Sequence, residues 1–188
     1  TLAMRAVRLP LATVVQGGAT MMAGYPYQFG SNATAPGVAT REIPIRGINR
    51  AYLNQAKGIF TDVRAREAFY SAIDRARLMQ AFTQMPGYKA PSNYFGENSP
   101  YFDSASSLPA YDPKKAQELF DALKADGKPF SIKIVTYTNS DLKRLAAYIQ
   151  QVLTGYEGAS AEIVEVDQAS LIQRCKTQLD FDICVEGG

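Results

Sequence analysis

The residue types that carry most protein chemistry are sparse in this sequence of 188 residues. Histidine is absent, and cysteine occurs only at Cys175 and Cys184. Histidine is the commonest general base near neutral pH, the commonest zinc ligand and a member of Ser-His-Asp and Cys-His catalytic sites. No glycine-rich dinucleotide or phosphate-loop motif follows any predicted strand. The sequence therefore favours a protein that is not an enzyme and that uses no metal and no cofactor.

The two cysteines fall on a predicted helix and on the predicted strand after it. A disulfide would require the intervening loop to bring their Cα atoms within about 7 Å. Two buried thiols are the favoured interpretation, because a free cysteine behaves as a small hydrophobic residue. Both interpretations stay open, and the cysteines alone do not indicate the redox compartment.

Arginines are concentrated in the middle of the chain, at Arg64, Arg66, Arg75 and Arg77. They could bind an anion, but acidic residues are interleaved with them, so we expect a solvated helix face with local ion pairs. The formal net charge is only +2 and is spread along the chain, which makes nucleic acid an unfavoured partner. No apolar run approaches the ~18 residues that a membrane-spanning helix needs.

The elements that would position these residues are clearest in the second half of the chain. Helices and strands alternate there, and the predicted helix N-caps are Asp112, either Ser140 or Asp141, and Asp167. This alternation predicts an α/β fold with a largely parallel sheet, flanked by helices and joined by right-handed crossovers. Such sheets bind ligands outside the carboxyl ends of their strands, so the final segment EGG is the expected place for chemistry.

Helical and strand periodicity also predicts which side chains are buried. The last strand should be half-buried, with Phe181, Ile183 and Val185 facing inward and Cys184 on the other face. Leu171, Ile172 and Cys175 should point inward from the short helix before it. Asp62 and Asp74 should cap two helices in the middle of the chain that bury the following residues: Val63, Phe69, Ala72 and Ile73 in the first, and Leu78, Met79 and Phe82 in the second.

A long loop is predicted over residues 83–111, which are rich in Pro, Gly and Ser. We expect its aromatic residues to fix it to the protein surface by burial, with ligand stacking as the less favoured alternative; they are Tyr88, Tyr94, Phe95, Tyr101 and Phe102. Near the start of the chain, two strands joined at Gly47 and an earlier strand that runs into a turn are predicted.

Three blocks carry a family pattern. The block AYLNQAKGIFTDVRAREAFYSAIDRARLMQAF contains a strand ending in Asn, then F-x-D-V-R-x-R-x-A and A-I-D-R. YDPKKAQELFDAL contains Y-D-P-x-K-A, and FDICVEGG is an aromatic-Asp-hydrophobic strand. In this order, from about residue 48 to the end, they resemble the family 5 extracellular solute-binding proteins of ABC transporters, of the dipeptide, oligopeptide and nickel type.

The resemblance implies one lobe of a two-lobed, type II-like periplasmic binding protein, with residues 1–188 as a single α/β lobe. Its abrupt ends, at Thr1 and Gly188, fit a piece that is cut near the crossings between lobes. It implies capture of a peptide or other small solute, with the remaining lobe and an ABC membrane permease as partners. It also implies an extracellular or periplasmic location, with a lipoprotein anchor in the parent protein.

The resemblance further implies a cleft edge formed by Tyr25, Tyr27 and the four residues Val185, Glu186, Gly187 and Gly188. An equally weighted alternative is that the tyrosines are surface packing and the glycines a hinge turn. Oligopeptide-binding members tend to carry arginine at the position of Val185 and tryptophan at that of Gly188, so peptide specificity is open here. The rival function is the ligand-sensing module of an intracellular transcriptional regulator.

Overall fold

The computed structural model describes residues 49–83, 92–97 and 99–187, together with the single residues 16, 39 and 90. The strands predicted before residue 48 lie outside this described part. The strands are β1 (Asn49–Leu53), β2 (Phe130–Tyr137), β3 (Ala159–Val166) and β4 (Ile183–Gly187). The helices are α1 (Val63–Ala72), α2 (Arg75–Thr83), α3 (Pro113–Ala125), α4 (Ser140–Leu153) and α5 (Gln168–Ile172), and a short 3₁₀ turn (Ile59–Thr61) precedes α1.

The four described strands form one sheet in the order β1-β4-β2-β3. β4 and β3 both run parallel to β2, and β1 is antiparallel to β4. Helices alternate with β2, β3 and β4 along the chain. The prediction of an α/β fold with a largely parallel, helix-flanked sheet is therefore confirmed. None of the described helices is long and apolar enough to cross a membrane.

The larger core lies on the face of the sheet that α1, α3 and α4 cover. Its centre is a set of phenylalanine rings that meet edge to face, with centroids 5.5 Å apart for Phe60 and Phe130 and 4.9 Å apart for Phe120 and Phe130. Such pairs add to the stabilisation that burial alone provides. Ile132 and Ile134 extend this core along β2.

A smaller core on the opposite face joins Val135, Leu171, Cys175 and Cys184. It lies under α5 and the π-helix that continues α5 from Gln173 to Gln178. Because β4 is a central strand covered on both faces, Cys184 is as fully buried as its neighbours. The prediction of a half-buried final strand is wrong for this reason.

The helix starts confirm most of the predicted caps. The carboxylates of Asp62, Asp112 and Asp167 accept hydrogen bonds from backbone N–H groups in the first turns of α1, α3 and α5. Asp74 accepts from the N–H groups of Ala76 and Arg77 at the start of α2.

For α4 the predicted cap is wrong. The Asn139 side chain accepts from the N–H groups of Asp141 and Leu142, at 2.9 and 3.3 Å. The helix therefore starts at Ser140, one residue earlier than a Ser140 cap and two residues earlier than an Asp141 cap would require. Asparagine caps a helix as well as aspartate or serine.

Two helical side chains do not point where periodicity predicts. Val63 is 54% exposed, because as the first residue of α1 it precedes the turn that packs on the core. Ile172 is 52% exposed, because the helix widens into a π-helix directly after it and the spacing of inward positions changes. Phe69, Ala72 and Ile73 are buried as predicted. Leu78 and Met79 are half-buried, and the side chain of Phe82 lies outside the described part.

The described part of the 83–111 loop holds itself in place through polar contacts. Asn93 Nδ2 donates to the carbonyls of Asp103 and Ser106, at 2.6 Å each. Tyr94, Phe95 and Tyr101 are exposed, so the prediction that burial of these rings fixes the loop is wrong. Phe102 is half-buried, and Tyr88 lies outside the described residues.

The arginine cluster engages local acceptors, as predicted. Arg64 forms ion pairs with Asp62 and Asp126, both at 2.7 Å, and Arg77 pairs with Asp74 at 3.3 Å. Arg66 donates to the carbonyl of Phe60 at 2.7 Å. These contacts account for Arg64, Arg66 and Arg77 without an anionic ligand.

Candidate functional site

The carboxyl ends of the three parallel strands meet at one edge of the sheet. β2 ends at Tyr137, which pairs with Val166 at the end of β3. β4 ends at Gly187, which pairs with Asn49 at the start of antiparallel β1. Parallel α/β sheets place ligands outside this edge. We call residues Val185 to Gly187 the cleft-edge segment.

The cleft-edge segment contributes differently at each position. The side chain of Val185 is fully buried in the larger core, so this position would contact a ligand only through its backbone. Glu186 is half-buried, and Gly187 is exposed. Tyr25, Tyr27 and Gly188 lie outside the described residues. The cleft edge assembled from these six residues therefore stays a prediction.

A polar cluster adjoins the cleft-edge segment on the face that α5 and the π-helix cover. Lys176 Nζ lies 2.7 Å from Glu186 Oε1 and 4.4 Å from the centroid of the Tyr52 ring. Arg50 Nη1 donates to the Tyr52 hydroxyl at 2.7 Å. A cation over an aromatic face is stabilised by the negative charge of the ring face. The cluster thus holds two cations and one carboxylate beside the end of β4.

Cys175 and Cys184 form a disulfide next to this cluster, with their Cα atoms 6.2 Å apart. The favoured prediction of two free thiols is wrong. The spacing of nine positions alone did not reveal the bond, because it depends on the π-helix and on the turn after it. That turn is made at Leu179, whose φ of 51° lies in the left-handed region.

Asn54 holds the loop between the π-helix and β4. Its buried side-chain Nδ2 donates to the carbonyls of Leu179 and Phe181, at 3.0 and 2.8 Å. Its backbone N–H donates to the carbonyl of Asp182 at 2.9 Å. A buried amide is stable only with such partners. Reasoning from residue chemistry missed this role, because the partners are far away in sequence.

Gly58 allows the segment after β1 to approach the same loop. Its φ is +76°, and a Cβ atom at this position would lie 2.8 Å from Asp182 Oδ1. Asp182 Oδ2 also accepts from the N–H of Lys133 at 2.8 Å. The loop before β4 is therefore anchored to β1 on one side and to β2 on the other.

A shallow groove of about 260 Å³ runs beside the disulfide, with walls from Tyr52, Asn54, Lys176, Leu179 and Phe181. Sites that enclose small organic ligands usually have volumes of about 300–1,000 Å³. Among the described residues, no group of His, Cys, Asp and Glu side chains could hold a metal ion.

The strongest carboxylate pKa shifts have structural causes. Hydrogen bonds from the Arg64 side chain and backbone lower the pKa of Asp62 to about 2. At the carboxyl end of β3, hydrogen bonds from the Ser170 side chain and backbone lower the pKa of Asp167, which caps α5. Both carboxylates are thus engaged in holding helix starts.

This α/β fold, a mostly parallel sheet flanked by helices, is similar to that of type II periplasmic binding proteins. Residues 11–188 match the family described as bacterial extracellular solute-binding proteins, family 5 Middle. The chain belongs to this family, whose members are solute-binding transport proteins. No curated protein matches the chain.

Solved structures of similar fold include two proteins whose names refer to peptides. The periplasmic binding protein DppA from Helicobacter pylori, in complex with the peptide STSA, has a TM-score of 0.72 at 19% identity over 95% of this chain and 34% of its own. The putative peptide-binding protein AppA from Clostridium difficile has a TM-score of 0.70 at 19% identity over 94% of this chain and 37% of its own.

A third similar structure has a different ligand. NikA from Brucella suis, in complex with Fe(III)-EDTA, has a TM-score of 0.65 at 22% identity, over 76% of this chain and 30% of its own. At these identities the likeness establishes the fold. The chain spans about a third of the length of each of these three structures.

Proposed function

We propose that this chain is one lobe of the substrate-binding component of an ABC importer, with residues 1–188 as a single lobe and residues 83–111 as a surface loop within it. Membership of family 5 is the observation that carries this proposal. The chain spans about a third of the AppA and DppA structures, which supports assignment to part of a larger receptor, one lobe of it. The partners are the rest of the parent polypeptide and a membrane permease.

Ligand capture in this scheme depends on closure of two lobes. Each lobe supplies part of the contact surface, and the ligand stabilises the closed form by its higher affinity for that form. The cleft-edge segment of this lobe supplies backbone groups, the exposed Gly187 and the half-buried Glu186. An isolated lobe keeps only its own contacts, so it should hold the ligand far more weakly.

The ligand class is a small solute, either a peptide or a metal chelate. Similar structures were solved with a peptide and with Fe(III)-EDTA, which supports this range. In place of the arginine and tryptophan of many oligopeptide-binding members, the chain has Val185 and Gly188. A ligand that must pair with a cationic side chain at position 185 is therefore disfavoured.

The location we propose is outside the cytoplasmic membrane, with a lipoprotein anchor in the parent protein. The family is extracellular, and the buried Cys175–Cys184 disulfide fits an oxidising compartment. The same disulfide disfavours the alternative of an intracellular transcriptional regulator, because cytosolic proteins rarely keep structural disulfides.

Native mass spectrometry of the intact parent protein, purified from its own cells, tests this proposal. We expect a co-purified small molecule that is released on denaturation, whereas the 188-residue chain alone retains none. A parent protein that carries a helix-turn-helix domain and binds DNA would contradict the proposal, as would an intact two-lobed protein that retains no solute in any preparation.

A further inference from the structure

The Cys175–Cys184 disulfide joins the π-helix to the central strand immediately before the cleft-edge segment. Both sulfur atoms belong to the smaller core, where Val135 and Leu171 surround them. The bond therefore fixes the position of the π-helix relative to the end of β4. This link is covalent, whereas the ion pair of Lys176 with Glu186, which joins the same two elements, is a non-covalent contact.

The end of β4 is supported on one side only. β4 pairs with β2 through Ile183, Cys184 and Val185. Glu186 and Gly187 pair with β1, which is itself at the edge of the described sheet. Strand ends held by an edge strand open more readily than strands paired on both sides.

The ion pair between Lys176 and Glu186 is a second link between the π-helix and β4, next to the disulfide. Lys176 directly follows Cys175, and Glu186 lies two residues after Cys184, so the disulfide brings the two charges together. The π-helix is a rare conformation and ends at Leu179 in the left-handed region, which is disfavoured for leucine. Such a segment depends on external contacts to keep its shape.

We infer that the disulfide is an oxidation-dependent lock that orders the cleft-edge segment after export. The two thiols lose two protons and two electrons and form the S–S bond, while the disulfide of a thiol–disulfide oxidoreductase is reduced to a dithiol. Before oxidation the π-helix lacks its covalent link to β4, and only non-covalent contacts, such as those of Asn54 with the following turn, hold it in place. The position of Lys176 beside Glu186 is then no longer fixed. The role of this segment as a ligand border rests on the proposed function; its ordering by the disulfide does not.

Amide hydrogen exchange on the 188-residue chain, oxidised and then reduced, tests the lock. The measured quantity is the exchange rate of amides in residues 183–187 divided by that of amides in the helix Pro113–Ala125. We expect reduction to raise this ratio about ten-fold, because the strand end opens locally while the larger core stays closed. A uniform acceleration would leave the ratio unchanged and overturn the inference.

Two variants separate the covalent tie from other effects of reduction. C175A/C184A should show the high exchange ratio of the reduced wild type, and added reductant should not change that ratio. K176Q keeps the disulfide and removes the ion pair, so it should raise the ratio less than reduction does. A C175A/C184A chain with the low ratio of the oxidised protein would also overturn the inference.

Capture by the full-length receptor is the second measurement. The probe is an equimolar mixture of dipeptides to pentapeptides, and native mass spectrometry compares the retained fraction in the two redox states. We expect the oxidised form to retain about ten-fold more peptide than the reduced form. Equal retention would contradict the lock while leaving solute binding intact. If neither form retains peptide, peptides are excluded as the ligand class. The amide exchange ratio still tests whether the disulfide orders the cleft-edge segment.

Discussion

At the scale of single residues, the buried hydroxyl of Thr136 stands out near the end of β2. Thr136 is 0% exposed, and its Oγ1 has no hydrogen-bond partner among the described residues. An unsatisfied buried polar group costs about 1–3 kcal/mol, and an apolar group of the same shape avoids that cost. We expect T136V to raise the free energy of unfolding by about 1 kcal/mol in urea titrations.

The exposed Thr138 provides a matched control two positions further along the chain. T138V changes the same atoms in contact with solvent, so its effect should stay within about 0.5 kcal/mol. A destabilised T136V would mean that the hydroxyl of Thr136 forms a hydrogen bond, for example to a buried water molecule.

The carboxylate of Asp62 makes stability depend on pH at the acid end. Its pKa is lowered from 3.8 to about 2 by hydrogen bonds from Arg64. A carboxylate with a lowered folded-state pKa stabilises the protein above its unfolded-state pKa, and this contribution is lost as pH falls through the folded-state value. We expect D62N to lose less stability than wild type between about pH 4 and pH 2.

Asparagine caps helices as well as aspartate does, so D62N keeps the cap of α1 and removes only the charge. The measurement is the free energy of unfolding at several pH values, taken as the difference between variant and wild type. Parallel curves over this pH range would show that the Arg64–Asp62 pair contributes nothing to acid stability.

At the scale of elements, the start of α4 shows which residue caps the helix. Asn139 accepts two backbone hydrogen bonds at the first turn, whereas Ser140 is the first helical residue. We expect N139A to lower the free energy of unfolding by about 1 kcal/mol, because two N–H groups lose their acceptor. Thermal and urea unfolding would measure this loss.

S140A is the matched control for the α4 cap. The Ser140 side chain accepts no hydrogen bond from the first-turn backbone N–H groups, so its removal should change stability by less than about 0.5 kcal/mol. A larger loss for S140A than for N139A would assign the cap to Ser140.

Local sequence was sufficient to predict the order of helices and strands from Asp112 onward, because caps and periodicity act over a few residues. It was not sufficient to predict strand order. Cys184 is buried on the second face because β4 lies between β1 and β2, and those pairings join distant parts of the chain. The exposed rings of the 83–111 loop were mispredicted because side-chain amides can hold a loop without burying its aromatic residues.

The candidate site was predictable to the same extent as the fold: local sequence patterns placed its strand end but not its neighbours. Glu186 and Gly187 could be placed at a carboxyl strand end from the alternation of elements. Their neighbours could not, because Lys176 reaches Glu186 through the π-helix, and Asn54 contacts Leu179 across 125 positions of sequence. Contacts of this range depend on the folded arrangement rather than on any local pattern.

At the scale of the whole molecule, the sheet separates two cores of unequal size. The larger core contains most of the buried phenylalanine, leucine and isoleucine side chains, whereas the smaller one is built around the disulfide. Stabilisation by burial grows with the apolar area removed from water, so the larger core contributes most of it. The face with the smaller core depends more on its covalent bond, and it is the face on which Glu186 of the cleft-edge segment meets Lys176.

The pairing of Asn49 with Gly187 has a mechanical consequence. The chain enters the described sheet and leaves it through antiparallel neighbours at one corner. A pull on both connections would load the hydrogen bonds between β1 and β4 one after another, as in a zipper, rather than all at once. The corner should therefore yield at low force as β1 separates from β4, while the S–S bond at Cys184, three residues inward, limits how far β4 itself can be drawn out of the sheet.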